Sequence, residues 1–291
     1  MSTSTLPTVS VIIPSYKQSA YIAQSLDSVQ AQTYAGPVEV IVVVDGSPED
    51  DARVAREHPL DVRVIEQKNT GVSGARNTGI ARSTGEYLAF LDADDTWAPQ
   101  KLQRQMDALL RKGAPALSFT RYRRTHDDGS VPPSAEHPPV NLKVSPRRLL
   151  RQNFVGTSTV VVHRACVDRC GLFPSTDNLL KAGQDYALWL RIASLFPLVY
   201  VPEILMHYRV HEINRVGTDP IKHFQGGLAA LRNFERWSPD RFGPLSGASR
   251  RSIASVRGAK LIKDVFLRRE EYDEDIMWRA LRAVKDQLLK T

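Results

Sequence analysis

Two almost entirely apolar segments limit most strongly what this chain can fold into. Residues 9–13 and 38–44 are rich in β-branched side chains, and they end abruptly at Pro14 and at Asp45, which opens an Asp-Gly-Ser turn. A strand without a polar face must be covered on both sides, as strands in the middle of a parallel sheet are. These segments therefore predict an α/β fold in which helices cover both faces of a parallel sheet.

The alternation of strands and helices continues as far as a helix that starts at Pro99. Two more short strands are predicted over residues 62–65 and 86–91. Helices are predicted over residues 74–82 and from Pro99 onward. The first helix has apolar side chains at i, i+4 and i+7: Ile22, Leu26 and Val29. We therefore expect a mostly parallel, Rossmann-like sheet flanked by helices, with ligands bound beyond the carboxyl ends of its strands.

The second half of the chain is predicted to complete this sheet. Residues 121–140 are rich in proline and lack periodicity, which predicts a mobile surface loop. A strand is predicted over residues 159–162 and a helix over residues 184–196. Residues 198–201 and 204–210 have the composition of two paired strands.

The same patterns suggest the domain boundaries. We expect a disordered tail at residues 1–7, an α/β domain at 8–215 and a C-terminal helical extension at 216–291. Basic residues in the extension are interleaved with apolar ones. This arrangement favours a solvated, packed helical face, and it leaves open a peripheral contact with an anionic membrane.

Composition indicates the cellular setting. No segment approaches the roughly 18 apolar residues of a membrane span, and no export signal follows Met1. Cys166 and Cys170 have no second pair, which indicates reduced structural cysteines. We expect a cytoplasmic protein that works in solution or at the inner face of the membrane. The net charge of +7 does not by itself distinguish a polyanion, a membrane surface and a phosphorylated substrate as partners.

An acidic turn directly follows the predicted strand at 86–91. Asp92, Asp94 and Asp95 place three carboxylates within four residues. Carboxylates this close repel one another unless water or a cation neutralises them, and Mg²⁺ and Mn²⁺ prefer oxygen ligands together with phosphate and water. Two interpretations remain open, a divalent-metal site and an exposed turn that caps the next helix.

Two further segments carry groups suited to a nucleotide. Asp45 can accept hydrogen bonds from a base or ribose, and Tyr16 can stack on a base. Residues 69–77 combine glycines, hydroxyls and Arg76 before a helix, as phosphate-binding loops do. Simpler roles stay open for each, namely an Asx turn at Asp45, packing at Tyr16 and a surface loop around Arg76.

Three titratable residues in the second half are further candidates. Asp185 stands at a helix start, where it can take a proton from a hydroxyl group or simply cap the helix. His207 and His211 flank Tyr208 and Arg209 at the end of the last predicted strand, and each can bind a metal or satisfy a local hydrogen bond.

In combination, four segments resemble glycosyltransferase family 2, and the resemblance covers about residues 8–215. The segments are residues 9–16 (VSVIIPSY), 42–47 (VVVDGS), 69–79 (ending ARNTG) and 90–95 (FLDADD). The resemblance implies the GT-A fold and an inverting transfer of a sugar from a nucleotide sugar.

It also implies roles for individual residues. Those expected at the nucleotide sugar are Pro14, Tyr16, Asp45, Arg76, Asp92 and Ala93, of which Asp92 and Ala93 open the DXD motif. The resemblance implies that Asp94 and His211 bind Mn²⁺ or Mg²⁺ and that Asp185 is the catalytic base. Two departures are Val44, where the family often has an acid, and Gln184, where it often has a glutamate.

The implied partners are a nucleoside-diphosphate sugar, of uridine type in preference to others, and a saccharide or lipid-linked acceptor. The implied process is synthesis of a cell-surface polysaccharide or glycolipid, and nucleic acid is not an expected partner. Two alternatives remain, a sugar nucleotidyltransferase and a non-catalytic protein that binds nucleotide sugar or nucleic acid. The first needs a glycine-rich loop after the first strand, where this chain has residues 14–17 (PSYK) instead.

Overall fold

The computed structural model describes residues 6–126, 130–131, 136–175, 183–210 and 220–237. The chain divides into two compact units. The first unit comprises Met1–Val144, Phe154–Ser175 and Ile192–His211, and the second comprises Ser145–Asn153, Thr176–Arg191 and Glu212–Thr291. The boundary expected at residue 215 remains a prediction. No helix in the described part of the chain is long and apolar enough to cross a membrane.

Strands and helices alternate through the first hundred residues, as predicted. The strands are β1 (Val9–Ser15), β2 (Val38–Asp45), β3 (Arg63–Gln67), β4 (Tyr87–Phe90), β5 (Thr96–Trp97), β6 (Leu117–His126), β7 (Glu136–His137), β8 (Val161–His163) and β9 (Leu198–Val210). The helices are α1 (Ile22–Gln30), α2 (Asp51–Glu57), α3 (Gly71–Arg82), α4 (Lys101–Lys112), α5 (Pro146–Arg151), α6 (Arg164–Cys170), α7 (Gln184–Leu195) and α8 (Pro220–Trp237), with a 3₁₀ turn at Thr157–Thr159.

Within the described residues, the nine strands form one mixed sheet. Its order is β3-β2-β1-β4-β8-β6-β9-β5, and β7 pairs with β6. β1 runs parallel to β2 and β4, β2 runs parallel to β3, and β6 runs parallel to β9. The pairs β4–β8, β6–β8, β5–β9 and β6–β7 are antiparallel. The carboxyl ends of β1 to β4 therefore lie along one edge, where the sequence analysis places the ligand.

The apolar strands are buried on both faces of the sheet. In β2, Val40, Val42 and Val44 belong to the main hydrophobic cluster, which also contains α1 side chains. Ile41 and Val43 pack on the opposite face with Ala75 of α3. Both faces of β2 are therefore covered by apolar side chains, which explains its continuous apolar sequence, as predicted.

Two predictions for the second half were wrong. The expected loop at 121–140 contains the end of β6 and all of β7, because Glu136 accepts hydrogen bonds from Arg121 and Arg123 at 2.5 and 2.7 Å. Ion pairs therefore support a polar strand that an apolar pattern does not reveal. The two strands expected at 198–210 are one strand, β9, whose register against β6 shifts where Pro202 falls.

The described part of the second unit is helical. The hydroxyl of Tyr186 in α7 donates to the carbonyl oxygen of Leu149 in α5 at 2.6 Å. Gly183 approaches α8 so closely that a Cβ there would lie 2.3 Å from the carbonyl oxygen of Gly226. Only glycine fits at that contact, and the start of α7 is thereby fixed against α8.

Candidate active site

Asp45 is the last residue of β2 and is buried, with 3% of its surface exposed. Its Oδ1 accepts hydrogen bonds from Nε2 of Gln67 at 2.7 Å, from the amide of Thr70 at 2.9 Å and from the hydroxyl of Thr70 at 3.2 Å. The following Gly46 has φ +68°, and a Cβ there would lie 2.7 Å from the amide nitrogen of Asn69. Glycine therefore lets the loop after β3 close onto Asp45.

The loop after β1 carries Pro14 and Tyr16, the other two residues predicted at the nucleoside. Pro14 is buried in β1, and Tyr16 is 43% exposed just beyond its end. The loop is fixed by Asp51, a fully buried carboxylate that the sequence analysis missed. Asp51 accepts from the hydroxyl of Ser15 at 2.6 Å and from the amide of Gln18 at 3.2 Å. Its only sequence signal is its position in the first turn of α2, a common place for a capping acid.

The three carboxylates of the acidic turn lie in different environments. Asp92 pairs with Arg76, whose Nη2 donates to Oδ1 of Asp92 at 2.5 Å. The guanidinium carbon of Arg76 lies 5.4 Å from the ring centroid of Phe173. Asn77 holds that phenylalanine by two backbone hydrogen bonds of 2.9 and 3.0 Å. Arg76 and Asn77 of the ARNTG segment therefore order the first acid of the turn.

Asp95 points into the protein and is 1% exposed. Its Oδ2 accepts from the hydroxyl of Ser158 at 2.6 Å, and its Oδ1 accepts from the amide of Arg209 at 3.1 Å. The hydroxyl oxygen of Ser158 also accepts from the amide of Asp92 at 3.1 Å. Burial, followed by the charges of Asp94 and Asp92, raises the pKa of Asp95 well above its usual value. Asp95 thus holds the turn in shape from inside.

Arg209 completes the outer side of the turn. Its Nε donates to the carbonyl oxygen of Asp94 at 3.0 Å, and its Nη2 donates to Oε1 of Gln24 at 2.6 Å. Its guanidinium lies 4.9 Å from the ring centroid of Tyr21. The neighbouring Tyr208 has a pKa raised by burial and then by the negative charges of the turn. The end of β9 therefore provides a cation and a phenol beside the acids.

The residues present fit a divalent cation of the kind that binds together with phosphate. In the described residues, no group of three or more His, Cys, Asp or Glu side chains is placed to hold a metal by itself. Asp92 is paired with Arg76 and Asp95 is buried, while Asp94 is half-buried at the turn. Mg²⁺ and Mn²⁺ commonly use one or two carboxylates and complete their shell with phosphate oxygens and water.

The remaining predicted residues lie elsewhere. Ala93 is buried between the first two acids of the turn. Asp185 is half-buried in the first turn of α7, in the second unit. His207 lies in β9, where burial and then the charge of Arg123 lower its pKa. His211 falls outside the described residues.

Replacement of Ser158 by alanine is expected to destabilise the protein by about 2 kcal/mol, because a buried carboxylate oxygen and a buried amide each lose a partner. Urea unfolding measures this difference. Ser28→Ala is a matched control on α1, whose hydroxyl bonds only a carbonyl one turn away, and it should change stability by no more than about 0.5 kcal/mol. Equal stabilities of the two variants would show that Ser158 does not support the turn.

Sequence comparison places the chain among known glycosyltransferases. Residues 10–169 match the sequence model described as glycosyl transferase family 2. An uncharacterized glycosyltransferase of Rickettsia bellii is 33% identical over 220 residues, which make up 75% of this chain and 31% of that protein. The putative teichuronic acid biosynthesis glycosyltransferase TuaG of Bacillus subtilis is 31% identical over 236 residues, 79% of this chain and 89% of TuaG. The chain thus spans less than a third of the first relative and most of the second.

Two solved structures share the fold at low identity. TarS 1–349 of S. aureus in complex with UDP superimposes with a TM-score of 0.62 at 18% identity, over 96% of this chain and 80% of that chain. The mannosyltransferase PcManGT of Pyrobaculum calidifontis, in complex with GDP-Man and Mn²⁺, gives a TM-score of 0.58 at 18% identity, over 98% and 88% of the two chains. These likenesses confirm the predicted GT-A architecture. Because the family match covers more than half of the 291 residues, the chain belongs to glycosyl transferase family 2 and is a glycosyltransferase.

Proposed function

We propose that this glycosyltransferase transfers a sugar from a nucleoside diphosphate of the uridine type to an acceptor hydroxyl, with inversion at the anomeric carbon. The observation that carries the proposal is the placement of Asp45 and of the turn Asp92–Asp95 at one edge of the sheet. β1 separates β2 from β4, so the two acidic groups end neighbouring parts of that edge. A nucleotide sugar needs one site for its base and another for its diphosphate, and this edge supplies both.

The base and ribose are assigned to the first part of the edge. Asp45 accepts an N–H of the base, Tyr16 supplies an exposed aromatic ring, and Pro14 shapes the wall beneath them. Asp92, held by Arg76, faces the ribose through its remaining acceptor capacity, with Ala93 behind it. Support comes from TarS and PcManGT, whose structures contain UDP and GDP-Man respectively.

The diphosphate is assigned to the second part. Asp94 would hold the divalent cation, with His211 as a second ligand, and the cation when bound supplies positive charge to the leaving diphosphate. Arg209 adds a fixed positive charge beside the same turn. PcManGT was solved with Mn²⁺, which supports this assignment.

The acceptor hydroxyl is assigned to Asp185 as general base. Its place in the first turn of α7 favours the ionised carboxylate through the helix dipole. Removal of the hydroxyl proton lets the oxygen attack the anomeric carbon on the side opposite the diphosphate, so that one displacement inverts the configuration.

The product is assigned to a cell-surface polysaccharide or glycolipid, since TuaG is named for teichuronic acid biosynthesis. The acceptor would then be a growing saccharide, free or lipid-linked. A lipid-linked acceptor would require contact with the inner face of the membrane, for which the basic residues after position 249 supply the charge.

A donor panel tests the proposal. We expect one uridine diphosphate sugar to be turned over with Mn²⁺ or Mg²⁺, followed as release of nucleoside diphosphate. Asp94→Ala should lower this rate about 100-fold or more, because the leaving diphosphate loses its counter-charge. The control is Asp61→Ala, which removes an exposed aspartate between α2 and β3 and should leave the rate unchanged. Equal turnover by Asp94→Ala would contradict the role of the turn, and failure of every nucleotide to bind would favour a non-catalytic protein.

A further inference from the structure

Asp45 uses only one of its two carboxylate oxygens. Three donors converge on Oδ1, from the side chain of Gln67 and from the amide and hydroxyl of Thr70. Among the described residues, Oδ2 accepts no hydrogen bond, and it does not belong to the fully buried side-chain atoms without a partner, so a ligand can reach it although the residue as a whole is only 3% exposed. Gln67 is held at this position by the sheet, since the register of β2 and β3 pairs it with Asp45.

A buried carboxylate with a purely structural role behaves differently in this same protein. Asp51 is fully buried, and both of its oxygens accept, Oδ2 from Ser15 and both from the amide of Gln18. A carboxylate oxygen that has no donor from the protein and is not fully buried can accept a hydrogen bond from a ligand. Oδ2 of Asp45 is therefore the acceptor left for the ligand.

The number of acceptor atoms that Asp45 still offers determines which nucleobase it can bind. A carboxylate oxygen has two lone pairs, and the two shorter hydrogen bonds, from Nε2 of Gln67 and from the amide of Thr70, occupy those of Oδ1. The hydrogen-bonding edge of uracil offers one donor, N3–H, between two carbonyl groups. Guanine offers two adjacent donors, N1–H and the exocyclic amine, which pair with both oxygens of a carboxylate. A single oxygen can align well with only one of two adjacent donors, so the one remaining oxygen matches uracil and leaves one guanine donor without a well-aligned partner.

We infer that Gln67 and Thr70 determine nucleobase specificity by occupying Oδ1 of Asp45, so that the site selects a base with a single N–H donor and rejects guanine. This inference rests on the proposed nucleotide-sugar function. It adds two specificity-determining residues that need not touch the base themselves. Nε2 of Gln67 donates at the same time to the hydroxyl of Thr70 at 2.7 Å, so the two side chains act as one unit.

The first test compares nucleotides on the unmodified protein by calorimetry with MnCl₂ present. We expect UDP to bind about 10- to 100-fold more tightly than GDP, the effect of one buried unpaired donor. Inosine diphosphate differs from GDP only by lacking the exocyclic amine, and it should bind about tenfold more tightly than GDP. GDP binding as tightly as UDP or inosine diphosphate would overturn the inference.

The second test removes the two side-chain donors. The double variant Gln67→Met with Thr70→Val keeps the side-chain volumes and leaves only the Thr70-position amide on Oδ1. We expect the UDP-to-GDP preference to fall about tenfold, mainly through tighter GDP binding. Gln100→Met, an exposed glutamine next to α4, is the control and should keep the preference. A preference unchanged in the double variant would overturn the inference, whereas binding of neither UDP nor GDP to the unmodified protein would overturn the proposed function itself.

Discussion

Asp185→Asn is expected to lower the rate of sugar transfer by about 10²- to 10⁴-fold, the usual contribution of a general base. The amide keeps the shape of the side chain but does not take up the acceptor's proton. Donor binding should stay within about threefold of wild type, because the proposed role of Asp185 concerns the acceptor hydroxyl and not the donor. The measurement is release of nucleoside diphosphate from the donor found in the panel, with nucleotide affinity measured by calorimetry.

The control for this variant is Asp168→Asn, an exposed aspartate on α6 that should leave the rate unchanged. A rate for Asp185→Asn within threefold of wild type would show that another group removes the proton. The anomeric configuration of the product, determined by NMR, is an independent check. A product that keeps the configuration of the donor would contradict a single displacement assisted by one base.

Asp92→Ala is expected to reduce the free energy of unfolding by about 3 kcal/mol. The variant leaves the guanidinium of Arg76, whose side chain is 6% exposed, without its counter-ion. Breaking a buried pair typically costs about 3–5 kcal/mol. We expect the lower end of this range because the Asp92 side chain is 32% exposed. Urea unfolding at neutral pH measures the change.

The double variant Arg76→Met/Asp92→Ala should be more stable than Asp92→Ala alone, because the buried guanidinium is removed together with its counter-ion. Glu57→Ala, which breaks an ion pair on the surface of α2, is the matched control and should cost less than about 1 kcal/mol. A double variant no more stable than Asp92→Ala would mean that the loss comes from packing and not from charge.

The fold was predictable because its strongest signals are local. The apolar runs in β1 and β2 and the acids that follow β2 and β4 were recognisable from neighbouring residues alone. β6 was not, since its second half is polar and depends on Glu136 and on pairing with β9. Apolar periodicity detects strands buried on a face, and a strand supported by ion pairs gives no such signal.

The residues of the candidate site were also predicted only in part. Asp45, Arg76 and the acidic turn were predicted as separate groups, and the structure adds which of them are paired. Gln67, Ser158 and Arg209 were missed, because each acts through a partner distant in sequence. Serine, glutamine and arginine are common on any surface, so nothing in their local sequence distinguishes these three.

The hydrogen bonds that shape the acidic turn connect segments that leave the ribosome at different times. The amide of Arg209 is 114 positions from Asp95, and its guanidinium bonds Gln24, 185 positions away. A nascent chain that has emerged as far as Asp95 already contains Asp45, Arg76 and Asp92, but it lacks Ser158 and the end of β9. The turn therefore gains its full set of hydrogen bonds only after residue 209 has left the ribosome.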